Sequence, residues 1–488
     1  MKKPGLLLSV LPIIFIITLL TISVIVFGED LTGGASQLSL LAGLIIISLI
    51  GIFYLKVPFT MIEDGIGASI MQASGAIFIL MMIGALTASW MQSGVVPTMI
   101  YYGLQLIHPR VFILVTFILC CLVSVLAGSS WTTVGTIGVA MLSASQIIGL
   151  PAGWVAGAII SGAYLGDKLS PLSDVVTLAA AVSGTDLYTH VKYSFLTAAP
   201  AFVICAIVYL IVGLTVPVAS SIEMTTQMEA LSSGFNISLW LLLIPAFTFF
   251  LVIKKVPATI TLFLSALVAA IVTFIAQPQI IEAITGGDAS FMANFKAFIK
   301  ILTSDVSIST TDPLINRLTS TSGMSGMVGT IWLILCILAV GGALTATGMI
   351  ETITERLLKV IKGTGSLITT TVCTCIVSNC ILADQYMSIL LPGNMFKDLY
   401  RKKGLAPEVL SRTLGDSGTV SSVMVPWNTC ALVQSSVLGI ATVAYFPYAI
   451  FCFITPIIAI VLGVTGFKIH KLPAEEVAAE AEAATANN

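Results

Sequence analysis

Four aspartates, Asp167, Asp174, Asp384 and Asp416, stand in segments otherwise almost free of charge. An ionised carboxylate at the centre of a bilayer costs about 2.5 to 3.5 kcal/mol on insertion scales unless it is paired, hydrated or protonated. Each is therefore a candidate for binding a sodium ion or a proton. A carboxylate that takes either ion, but poorly both at once, exchanges them by electrostatics alone, because desolvation favours the neutral acid and a bound cation favours the ionised form. Asp174 and Asp384 are the first choices: one follows a helix break and the other sits at a hairpin tip, so both should face a polar cavity. Asp167 adjoins Lys168, but neighbours in a helix point about 100° apart. Lys168 is expected instead to reach a carboxylate across the break, Asp174 included, or to partner an anionic cargo. Asp416 follows Arg412 by four residues, the spacing that brings side chains together on one helical face. An ion pair and a functional role are both open there.

Two runs carry helix-breaking polar centres, GDKLSPLSD at 166–174 and GDSGTVSSVMVPWNT at 415–429. Pro171 and Pro426 each remove a backbone donor and clash with the preceding turn, leaving carbonyls free at membrane depth. Beside them stand Ser170 and Ser173 in the first run and Asn428 and Thr429 in the second, with Ser129 and Ser130 at another polar interruption. All-oxygen surroundings suit small hard cations, and half-helix ends add dipoles that favour a cation or a carboxylate. One proline kink is ordinary in a membrane helix. Two breaks at matching positions point to a site.

The match is a repeat. GALTA occurs at 84–88 and again at 342–346, and a shift of 255 (426 − 171) pairs Pro171 with Pro426, Trp131 with Tyr386, Gly149 with Gly404, Gly184 with Gly439 and Tyr193 with Tyr448. GALTA itself needs 258 (342 − 84), so one short indel separates it from the rest. A constant offset that keeps prolines, glycines and aromatics in register signals a duplicated transporter.

The positioning elements follow from composition. With 57% hydrophobic and 9% charged residues over 488 positions and a mean hydropathy of +1.06, the chain reads as an all-α polytopic membrane protein. A net charge of −2 offers no field for nucleic acid, and the absence of a glycine-rich phosphate cradle argues against an ATP-driven pump. The nine cysteines lie almost entirely in apolar segments and read as buried free thiols. His108, His190 and His470 are placed at membrane edges, so no metal site is expected beyond the transported ion, nor a cofactor. No Ser, His and Asp set converges on one face, so enzymatic catalysis is not expected.

About ten crossings are predicted: Gly5 to Phe27, Leu38 to Tyr54, Ile66 to Trp90, Ala152 to Val182, Tyr193 to Val212, Ile237 to Ile253, Pro257 to Ile275, Met327 to Thr347, Ala406 to Ala444 and Pro447 to Phe467. Two further stretches, Val111 to Ile148 and Leu367 to Phe396, are interrupted at Gly128-Ser129-Ser130 and Ala383-Asp384-Gln385. Their halves are expected to be short for full spans, and they are read as re-entrant hairpins. Most Lys and Arg fall on one side of this map, with Arg110, Lys296, Lys300 and Arg317 on the other and Lys168 and Arg412 within spans. By the positive-inside rule both termini are cytoplasmic and the repeats are inverted, as alternating access requires. The division is 1–65 for amino-terminal helices, 66–214 for the first repeat, 215–326 for connector helices and an external linker, 327–467 for the second repeat and 468–488 for a cytoplasmic tail. Val95 to Leu106 and Glu351 to Lys362 are expected at opposite membrane surfaces.

LAGSSWTTVGT, SGAYLGDKLSPLSDVV and GDSGTVSSVMVPWNTC resemble the NhaC-type sodium/proton antiporters over roughly 84–467. The resemblance implies paired hairpins and unwound helices around a central site, a bacterial cytoplasmic-membrane location, and, by analogy with the wider ion transporter group, a homodimer. In that group the tips carry Ser-Asn-Thr-like clusters, whereas here they read Gly128-Ser129-Ser130-Trp131-Thr132 and Ala383-Asp384-Gln385. The acid at Asp384 favours a cation as cargo. Relatives that exchange malate for sodium and lactate keep open a sodium-coupled organic-acid exchanger, with Lys168, Asn428 and the helix ends as carboxylate partners.

Overall fold

The computed structural model describes residues 3–27, 34–219, 221–308, 312–358 and 361–472. Lys2, Lys359 and the tail from 473 lie outside the described residues. The described chain is helical nearly throughout, and its extended pairing consists of two isolated bridges, Val306 with Thr321 and Leu405 with Lys471. In a bilayer this is the expected outcome, since a helix satisfies its own backbone.

The first apolar runs form α1 (Leu6–Phe27) and α2 (Ala35–Leu49), the latter continuing as a π-helical turn to Leu55. The span predicted from Ile66 to Trp90 is instead two helices, α3 (Phe59–Gln72) and α4 (Ser74–Gln92), separated at Ala73. The polar run Gln72-Ala73-Ser74-Gly75 interrupts it. α5 (Val95–Leu106) has the predicted bounds.

The first hairpin pairs α6 (Phe112–Ala127) with a return arm of α7 (Ser130–Thr133), a π-helical turn (Val134–Gly138) and α8 (Val139–Ile147). Its tip is Gly128, left-handed at φ 64°. The broken helix follows as α9 (Ala152–Leu169) and α10 (Asp174–Ser183), and then comes α11 (Leu187–Thr215). The connector region contains α12 (Ser221–Gly234), α13 (Leu243–Ile253) and α14 (Ala258–Ala276). The stretch predicted as a polar linker is largely helical, with α15 (Pro278–Thr285), α16 (Phe291–Thr303) and α17 (Pro313–Thr319).

α18 (Val328–Ala346) and α19 (Met349–Leu358) lead to the second hairpin, α20 (Thr364–Leu382) and α21 (Met387–Lys402), whose tip Ala383 is also left-handed at φ 53°. The second broken helix runs through α22 (Pro407–Leu414), a π-helical turn (Gly415–Thr419) and a 3-10 turn (Ser422–Met424), then resumes as α23 (Thr429–Leu438). It turns by 86° into α24 (Thr442–Tyr445), before α25 (Ile450–Thr465). Among the described residues nine helices are long and apolar enough to cross a membrane, or up to eleven if each bent pair is one span. Pro109–Ala127 and Ser130–Ile148 are both among the nine, at 19 residues each. Both arms of the first hairpin and α20 of the second are thus long enough to cross, which corrects the expectation of short arms there, whereas α21, at 16 residues, is not among the nine.

Packing locks each hairpin to a broken helix. On α9, Gly162 and Gly166 sit one turn apart against α6, where a Cβ would lie 2.3 Å from the Phe117 carbonyl oxygen and 2.4 Å from that of Cys121. Such small-residue stripes let backbones approach closely where no water drives association. Ser124 donates to the Ala163 carbonyl and Ser170 to that of Val125 (2.7 Å). In the second half Asn379 donates to the Gly418 carbonyl (2.8 Å) and Trp427 to that of Cys380 (2.8 Å). The halves also clasp each other: α10 packs on α21, α23 on the first hairpin's π-helical turn, α11 on α22 and α25 on α9.

Leucine at Gly162 or Gly166 is expected to destabilise the protein by about 1–3 kcal/mol or more through overpacking. Gly103→Ala, whose Cβ meets nothing within 4 Å, should leave the thermal midpoint in detergent unchanged. Equal midpoints for all three variants would refute the close α6–α9 contact.

Candidate functional site

The tip of the first hairpin, the first break and part of the second tip enclose a cavity of ≈ 710 Å³. Its polar wall comprises Ser129, Ser130 and Thr132 from the first tip, Asp167, Ser173 and Asp174 from the break, Gln385 and Tyr386 from the second tip, and Gln72 from the α3–α4 junction. Lys255 to Thr259, at the turn between α13 and α14, form another part of the wall. Local sequence explains each placement. Ser129 caps the return arm, accepting from the Thr132 amide (3.2 Å) and hydroxyl (3.1 Å). Ser173 caps α10 by accepting from the Val176 amide (3.4 Å), as serine does at helix starts.

Asp167 is the centre of this wall. It is 5% exposed at the last turn of α9. Its Oδ2 accepts from both the Ser130 amide (3.1 Å) and the Ser130 hydroxyl (2.8 Å). Its Oδ1 is buried with no hydrogen-bond partner among the described residues. One oxygen is thus fixed by two donors while the other is left with unused acceptor capacity, and an unused buried carboxylate oxygen is costly unless a cation or proton takes it. Asp174 lies in the first turn of α10, exposed on the cavity wall. The helix dipole there favours its negative charge.

Asp384 occupies a different place. Its Oδ1 accepts from the Met387 amide (2.9 Å) and so caps α21. It lines a separate small pocket with Ser69, Gln72 and Thr345. Ser170, Pro171, Pro426, Asn428 and Thr429 do not line the large cavity either. Asn428 donates to Asn379 Oδ1 (3.0 Å) and caps the Cys430 amide (3.0 Å), while the Thr429 amide donates to the Ala383 carbonyl (2.9 Å). The second break is closed by its own hairpin.

Lys168 does not reach Asp174. Its ammonium donates to Asp416 Oδ1 and to the Thr197 hydroxyl (2.9 Å), and Thr197 donates to the same Asp416 oxygen (2.7 Å). Arg412, at i, i+4 spacing, adds its charge from 3.4 Å to Asp416 Oδ2, and its guanidinium stacks 4.6 Å above the Tyr193 ring. Lys168, Arg412 and Asp416 are 1%, 0% and 0% exposed. One buried acid therefore balances two cations, one from each broken helix. His190, placed by sequence at a membrane edge, is buried nearby with Ser411 on its Nδ1 (2.8 Å).

Sequence reasoning missed Thr197, Asn379 and Tyr386 as partners. Tyr386 had a signal in its repeat pairing with Trp131. Asn379 had the same kind of signal in its pairing with Ser124 at the 255 shift, whereas Thr197 is one of several hydroxyl residues of α11 and nothing in the sequence sets it apart.

Membrane-length helices, two breaks and an interior polar cavity define a multi-pass membrane protein with the architecture of a carrier. The chain belongs to the Na+/H+ antiporter family, whose model matches residues 162–467. It is similar to the Na(+)/H(+) antiporter NhaC of Alkalihalophilus pseudofirmus, 34% identical over 418 residues, 86% of this chain and 88% of the relative. It is likewise similar to the arginine/ornithine antiporter ArcD of Halobacterium salinarum, 34% identical over 479 residues, covering 97% and 95%. The malate-2H(+)/Na(+)-lactate antiporter of Bacillus subtilis is 34% identical over 435 residues, covering 88% and 89%.

Removing one member of a buried ion group costs about 3–5 kcal/mol when it strands an opposite charge. Asp416→Asn, which leaves two buried cations without an acid, is expected to lose that much stability. Lys168→Met leaves the Arg412–Asp416 pair and should lose clearly less. Thermal midpoints in the reverse order would show that Asp416 does not bind the two cations together.

Proposed function

We propose that the protein exchanges sodium for protons across a bacterial cytoplasmic membrane by alternating access, with the cation held at Asp167. The observation that carries this reading is the Asp167 carboxylate, anchored by Ser130 through one oxygen and unpartnered at the other beside a cavity. Ser129, Ser130, Ser173 and Asp174 supply the nearby oxygens, and Asp384, in the pocket that shares Gln72 with the cavity, is a further acid for the proton. A proton and a sodium ion compete for the spare oxygen, so loading one releases the other.

The inverted repeat, with its division at 66–214 and 327–467, is supported by conformation as well as by residue identity. The two left-handed tips, Gly128 and Ala383, are 255 apart, as are Ser124 and Asn379, their acceptors Ala163 and Gly418, and the carbonyl-bearing Val125 and Cys380. The cap residues Ser129 and Asp384 obey the same shift. The bias of basic residues supports cytoplasmic termini, and on that reading the Lys255 part of the cavity wall faces the cytoplasmic side. A homodimer completes the reading by analogy with the wider group.

A second reading is favoured by one observation: ≈ 710 Å³ is far more than a bare ion needs. Together with the α10 amino terminus and Lys255, that space suits a small organic acid as co-cargo, and relatives are named for malate, lactate and amino acids.

Proteoliposomes with an internal pH dye test both readings. Sodium alone should move protons through the wild type, and Asp167→Asn should abolish that movement with the protein still inserted. Ser130→Ala, by loosening the carboxylate, should raise the half-saturating sodium concentration about 10- to 100-fold, the usual cost of losing a supporting hydrogen bond. Proton movement that requires malate would establish the exchanger, and unchanged exchange in Asp167→Asn would remove Asp167 from the mechanism.

A further inference from the structure

α16 carries a surface that lines neither the large cavity nor the Asp384 pocket. Its inner face, with Ala297, Ile301 and Leu302, is buried, and the helix packs on α4, α14 and the turn that precedes α18. Its outer face presents Phe291, Phe295 and Ile299 at i, i+4 and i+8, exposed by 82%, 51% and 42%. The two phenylalanine rings stack with centroids 6.2 Å apart. Lys296 and Lys300 form the adjoining stripe one residue on, both exposed. Asp288 is the acid that acts on Lys296 electrostatically, and its carboxylate already accepts from the Ser290 amide and hydroxyl.

Two observations say what covers this face. First, it is continuous with a lipid-facing one: α14 is a 19-residue apolar helix of membrane-crossing length, it touches α16, and its last turns expose Ile271 and Ile275. Those residues lie at the end of α14 away from Lys254 and Lys255. Second, an aromatic stripe flanked by lysines has the pattern of a helix seated in a membrane interface, with rings among the acyl chains and ammonium groups at the phosphates. We propose that α16 lies in the headgroup layer at this end of α14 and binds anionic phospholipid through Lys296 and Lys300. α4, on which it packs, begins with Gly75, Ala76 and Ile79 on the cavity wall. The lipid contact therefore holds a helix of the cavity's frame to one leaflet, whatever the cargo.

The test is spin labelling of the full-length protein in a Cys373→Ser/Cys380→Ser background, in phosphatidylcholine vesicles with and without phosphatidylglycerol. Labels at Phe295→Cys and Ile299→Cys should collide with oxygen more than with a water-soluble nickel complex, relative to a label at the exposed Asp288→Cys. Adding phosphatidylglycerol should raise that ratio, and Lys296→Gln/Lys300→Gln should remove the rise. Accessibility matching that at position 288, or dipolar broadening from a label on a second copy, overturns the proposal. A ratio indifferent to phosphatidylglycerol overturns the anionic headgroup assignment.

Discussion

Backbone groups that lipid cannot hydrogen-bond govern how this molecule is put together. Each proline break and each hairpin tip frees amides and carbonyls, and an unsatisfied one inside a bilayer costs several kcal/mol. The protein answers by laying a hairpin against each broken helix. Ser170 reaches the Val125 carbonyl and Trp427 the Cys380 carbonyl, while Ser124 and Asn379 donate to Ala163 and Gly418. The glycines at 162 and 166 follow from the same demand, because the backbones must come within reach before short side chains can bridge them.

That interlock sorts the charges. Asp167 and Lys168 are neighbours in sequence, yet the helical turn between them points one to the cavity and the other into the dry core. The acid meets Ser130 at the cavity wall. The lysine meets Asp416 of the other half, with Arg412 behind it. A buried cation is tolerated only with a partner at hand, so the Lys168–Asp416 contact fixes how the two broken helices face each other. The cavity is one consequence of that registration: the first break stays open to it, while the second is filled by Asn428 and Asn379.

Much of the frame is legible in the sequence. The breaks fall at Pro171 and Pro426, the first tip at Gly128 and the second at Ala383, because prolines, small polar runs and apolar lengths act locally. α5 keeps its predicted bounds for the same reason. Local reasoning failed where partners are distant. The interruption at Ala73 divides a stretch that hydropathy reads as one span, and the polar stretch after Gln277 folds into helices supported by distant partners, α16 on α4, α15 on α14 and α17 on α12. Asp384 reads as a free acid in sequence, but the left-handed turn at Ala383 aims it at the Met387 amide.

Amino-acid order by itself determined the solvent, the helices, the family resemblance and the acids that merit suspicion, since each depends on composition or on spacing within a turn or two. Tertiary structure alone decided which acid keeps a spare oxygen and which is neutralised. Hydrogen bonds and ion pairs act over a few ångströms, and the residues that settle the fate of Asp167, Asp384 and Asp416 include Ser130 and Lys168, which lie 37 and 248 positions away from Asp167 and Asp416 respectively. Only folding brings such partners within range.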